Sequence, residues 1–87
     1  MSAVDWETTI TSLQAIRDRT CDGSLVELLS RSIRLAKLWQ IIKPDNPPNE
    51  IKLTEDNKCI QFIWFNTGFN RIFEIRGKEI INRIEVL

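Results

Sequence analysis

The chain has 87 residues, 43% of them apolar and 28% charged, the make-up of one small globular domain with a thin core. Twelve Lys and Arg offset twelve Asp and Glu, and the balance holds locally: six cations face five acids in residues 1–43, and six face seven in residues 44–87. Composition therefore disfavours a nucleic-acid binder, which needs a basic excess. With no His, no Tyr and two widely separated cysteines, it also disfavours most acid–base or nucleophilic catalysis and any structural metal site.

The chain opens with Asp5 and Glu7 where a secretory leader carries cations, and no apolar run is long enough to cross a bilayer. These features predict a cytoplasmic protein with no membrane segment, in which Cys21 and Cys59 are reduced thiols. A first helix is predicted over residues 5–20. Trp6, Ile10, Leu13 and Ile16 form one apolar stripe, Asp5 can cap the start, and Glu7 suits the positive end of the helix dipole.

Thr20, Cys21, Asp22 and Gly23 interrupt this pattern. Ser24 with Glu27 reads as a capping box that begins a second helix over residues 24–43. Its apolar face, from Leu25 through Leu29, Ile33 and Ala36 to Trp39, is wide enough to meet both a sheet and another helix. Pro44 stops it. Arg31, Arg34 and Lys37 recur along one polar flank. They are candidate contacts for a phosphate or an acidic partner, but a solvated flank balanced by Glu27 is the better explanation.

Residues 44–49 hold all three prolines and read as a short linker. Beyond it the hydrophobic period changes to two, and four strands with tight polar turns are predicted between Glu50 and Leu87. The expected class is α+β, in the order α-α-β-β-β-β, with both helices on one face of an antiparallel meander. Glu55 and Asp56 sit at a turn, Glu79 and Glu85 lie on the last strand, and Cys59 begins an apolar strand. None of these forms a catalytic constellation, so no catalytic, cofactor or metal residues are expected.

Strand alternation sends Ile60, Phe62 and Trp64 to one face, and Cys59, Gln61, Ile63 and Phe65 to the other. Two helices cover only one face, so an apolar outer face needs another cover. Gln61, Ile63, Phe65, Arg76 and Arg83 are the candidate protein-interface residues. A linker or N-terminus folded over the same face is the alternative.

The motifs Pro47-Pro48, Thr54-Glu55-Asp56-Asn57 and Gln61-Phe62-Ile63-Trp64, followed by the strand at residues 71–76, resemble those of a group of short uncharacterised bacterial proteins. In that group a helix, a double proline, a TxDG-type turn and an xQxxW strand follow one another. Asn57 stands here in place of the turn glycine, and the Gly-rich segment before the helix is missing. The resemblance covers about half the chain. It implies a helix-plus-meander fold and a bacterial or phage source, and it carries no activity.

The expected function is a non-catalytic protein-interaction module that binds a second copy of itself or another protein, such as a small inhibitor or adaptor. An alternative is a nucleic-acid module that stacks bases on Phe62 or Trp64 and holds phosphates with Arg71, Arg76 and Arg83. Zero net charge weighs against it.

Overall fold

A computed structural model describes residues 5–87; residues 1–4, which include the start of the segment read as lacking a leader, lie outside the described residues. Two helices, α1 (Trp6–Arg19) and α2 (Gly23–Ile42), precede four strands: β1 (Glu50–Leu53), β2 (Cys59–Asn66), β3 (Phe69–Arg76) and β4 (Glu79–Val86). The strands pair antiparallel in chain order, β1-β2-β3-β4, giving the α+β meander that the periodicity predicts.

Helix α1 starts where Asp5 accepts the Thr8 amide at 2.7 Å, and that bond holds the Asp5 carboxyl below the usual carboxylate range. The start of α2 differs from the capping box read from sequence. Its cap is Asp22, which accepts from the amides of Ser24 at 2.9 Å and Leu25 at 3.4 Å. Glu27 is then left to pair with Arg31 one turn on, at 3.8 Å. The aspartate reaches two orphan amides at once, which the neighbouring serine does not do here.

The helix-side face of the sheet carries Ile60, Phe62, Trp64, Phe73 and Ile75. Register places Phe62 opposite Phe73 and Ile60 opposite Ile75. With Trp6, Leu13, Leu29, Ile33 and Ala36 they make the core. Helix α2 packs on β2 and β3, and α1 packs against α2.

The turns are set by local chemistry. Gly68 and Gly77 adopt positive φ in the two-residue loops that join β2 to β3 and β3 to β4. Between β1 and β2 the left-handed residue is Asn57, at φ 59°. Its amide reaches the Thr54 carbonyl at 2.9 Å, and Asp56 accepts from the Thr54 hydroxyl at 2.6 Å and the Lys58 amide at 3.0 Å. Those bonds hold the Asp56 carboxyl below its ordinary range. Asparagine is the non-glycine residue best suited to this conformation, so the turn survives the missing glycine.

Candidate functional site

The outer face is built from rows of directly opposed residues. Ile63, Ile72 and Arg83 form one row, and Gln61, Glu74 and Ile81 form the next. Glu74 is the hub. Gln61 donates its side-chain amide to it at 2.8 Å, and Arg76 and Arg83 approach it at 3.5 and 3.7 Å. The Gln61 hydrogen bond, then the two guanidinium groups, hold the Glu74 carboxyl below the usual range against the opposing effect of burial. Gln61, Ile63, Phe65, Arg76 and Arg83 thus share one face, as strand alternation predicts, and they differ in exposure.

Ile63 is only 8% exposed, and Cys59 and Ile72 beside it are buried. Phe65 stays 52% exposed. Two sets of contacts border this face. The linker runs along β2: the Asn49 amide donates to the Ile63 carbonyl at 2.8 Å, the Asn49 side chain accepts from the Phe65 amide at 2.9 Å, and Pro48 is fully buried. Arg83, from the Ile63–Ile72 row, reaches diagonally across to Glu74. Apart from Phe65, the large exposed apolar side chains lie elsewhere.

Three of them lie on the helix side of β4. Ile80, Ile84 and Val86 share the face that the helices cover over β2 and β3, yet they are 53%, 59% and 81% exposed, because the helix layer stops short of this strand. The facing flank of α2 is also apolar. Arg31, Leu35, Leu38 and Ile42 fall on one helical stripe, spaced four, three and four residues apart. Arg31 donates to the Gly77 carbonyl in the β3–β4 turn, which points this stripe at β4. Leu38 and Ile42 are exposed. Two exposed apolar rows thus stand on this side of the fold, Leu38 and Ile42 on α2 and Ile80, Ile84 and Val86 on β4. The second row belongs to an eight-residue edge strand without proline or bulge. The opposite edge, β1, has only four residues. A long edge with an apolar face is the kind that natural proteins otherwise blunt or cover.

The flank cations separate. Arg31 is joined by Lys58, Arg76 and Lys78 around a hollow of about 480 Å³ between α2 and two hairpin turns, with Glu27 the acid among them. Arg34 and Lys37 are exposed and do not line it. A second cleft, of about 380 Å³, opens at the other end of the sheet, where Trp6, Trp39 and Trp64 converge. Phe62 is fully buried under Trp39, with centroids 5.2 Å apart, so it offers no platform to a nucleobase.

Both cysteines are free thiols, Cys21 exposed and Cys59 buried. Among the described residues no cluster of three or more His, Cys, Asp or Glu could hold a metal ion, and no helix is long and apolar enough to cross a membrane. No family model, curated protein or solved structure matches the chain.

Proposed function

We propose that this protein is a non-catalytic protein-interaction module that self-associates through the β4 edge and the exposed apolar row it carries. The carrying observation is the exposure of Ile80, Ile84 and Val86 on the face that is core elsewhere in the same sheet. Each forgoes part of the roughly 1.5–3 kcal/mol that full burial of such a side chain contributes, in a domain with little core to spare.

The edge is self-complementary. An antiparallel pairing of two β4 strands centred on Ile84 sets Ile84 opposite its own copy at the two-fold axis, Val86 opposite the partner's Asn82, and Arg83 opposite the partner's Glu85 in both copies. A two-fold interface requires such reciprocal matches, and oppositely charged cross-strand pairs favour them. Arg83 thus belongs to this reading by a different route from the one its sequence position suggests.

The test is molar mass by light scattering or sedimentation across the micromolar to millimolar range, for the native chain and for Ile84→Glu. Residue 84 is more than half exposed, so the substitution leaves the monomer folded. The native chain should reach the dimer mass and the variant should stay monomeric with unchanged circular dichroism. A native monomer throughout, or a variant that still dimerises, refutes the reading.

A further inference from the structure

All three tryptophans of the chain meet at one cleft, and there is no tyrosine. Trp39 is the centre of the group, with ring centroids 5.8 Å from Trp6, 5.5 Å from Trp64 and 5.0 Å from Phe73. The walls are fixed from both layers. Trp6 donates its indole N–H to the Lys43 carbonyl at 2.9 Å, and Trp64 donates to the Asn46 carbonyl at 3.1 Å, so the loop after α2 is tied to α1 and to β2. A cleft of about 380 Å³ with preset aromatic walls lies within the size range of small-ligand sites.

Charge tells the ligand classes apart. The cleft is lined by two cations, Lys43 and Arg71, and by the amides of Asn46 and Asn66, with no carboxylate among the lining residues. This occurs in a chain of zero net charge. The C-terminus of α2 contributes roughly half a negative charge, less than the two full positive ones. Arg71 lies 5.9 Å from the Phe73 ring centroid, stacked on the wall it would share with a ligand. A quaternary ammonium would suit the rings but not these two cations. A planar ring bearing an anion suits both, because a guanidinium fork matches a carboxylate in two hydrogen bonds.

We propose that this cleft binds a small planar aromatic carboxylate, its ring against Trp39 and Trp64 and its carboxylate on Arg71 with support from Lys43. The cleft adjoins the β4 edge, since Arg71 lies directly opposite Ile84 and Phe69 opposite Val86, but every residue of the site belongs to one chain and binding there does not require self-association.

The experiment is nitrogen–proton correlation spectroscopy of the full chain, in which the three indole N–H groups report the cleft directly. The chain is titrated with 2-naphthoate and, as the uncharged control of the same shape, 2-naphthamide. Naphthoate should move the indole resonances saturably and bind about tenfold more tightly than the amide. Arg71→Gln, at an exposed position, should weaken naphthoate to the level of the amide and leave the amide unchanged. Lys43→Gln should have a smaller effect in the same direction. Indole resonances that stay still into the millimolar range, equal affinity for acid and amide, or full naphthoate affinity in Arg71→Gln would each overturn the proposal.

Discussion

Thr9 offers a stability test that is independent of any partner. It lies on the buried side of α1 with none of its surface exposed, and its hydroxyl has no hydrogen-bond partner among the described residues. A buried hydroxyl without a partner costs roughly 1–3 kcal/mol of lost hydration. Thr9→Val replaces that hydroxyl with a methyl of nearly the same shape, and the two residues differ little in helix propensity. The gain should be about 1 kcal/mol once imperfect fit is allowed for, which raises the melting temperature of a domain this size by about 4–8 °C. Thr9→Ser keeps the hydroxyl and removes the methyl, so it should melt below the parent. Thermal unfolding followed by circular dichroism reads both, best in the Ile84→Glu background, where association cannot make the midpoint depend on concentration. A Thr9→Val protein less stable than its parent would show that the hydroxyl is satisfied, by bonding back to the preceding turn, and the reasoning would fail.

Three further outcomes follow from the outer face and the turns. Because the Glu74 carboxyl is held below its ordinary range in the fold, its ionised form adds stability that is fully present above the unfolded value. That stability is lost as pH falls through the lower, folded one. Native protein should therefore lose more stability to denaturant than Glu74→Gln does as pH drops below about 4, and equal losses would contradict the Gln61–Glu74–Arg83 account. Asn57→Val places a β-branched residue at positive φ and should cost about 1–2 kcal/mol in chemical denaturation, whereas Asn57→Gly should be near neutral. Cys21 should react at once with a disulfide reagent in the native state and Cys59 only at the rate of structural opening; two equally fast thiols would place Cys59 at the surface.

The order of elements was legible because each carries a strong local signal. The four-three-three spacing of Trp6, Ile10, Leu13 and Ile16 allows only one helix face, and all but Ile16 of this stripe are buried. Alternation along β2 and β3 likewise separates the residues into two faces, but it leaves open which of the two the helices cover. Exposure was not legible, because it depends on how far the helix layer reaches. Nothing in the spacing of Ile80, Ile84 and Val86 says that α2 stops over β3 and leaves this apolar row bare. The sequence offers a linker over the outer face only as one alternative, and it does not say that Asn49 bonds to β2 or that Arg83 reaches Glu74. The convergence of three tryptophans separated by up to 58 positions is likewise a product of topology, since no local motif links Trp6, Trp39 and Trp64.

The most direct test of the central claim is amide hydrogen exchange along β4. Arg76 and Glu79 close a two-residue turn, and the Leu87 amide reaches the Gly68 carbonyl at 3.1 Å, so the odd-numbered amides of β4 point into the sheet. Those of Ile80, Asn82, Ile84 and Val86 point to the free edge. If two copies pair through β4, the Ile84 amide at the centre should be protected, increasingly so as concentration rises, and Ile84→Glu should abolish that concentration dependence in the amides of Asn82 and Val86. Fast, concentration-independent exchange at Ile84, in a sample whose odd-numbered amides remain protected, would contradict association through this edge.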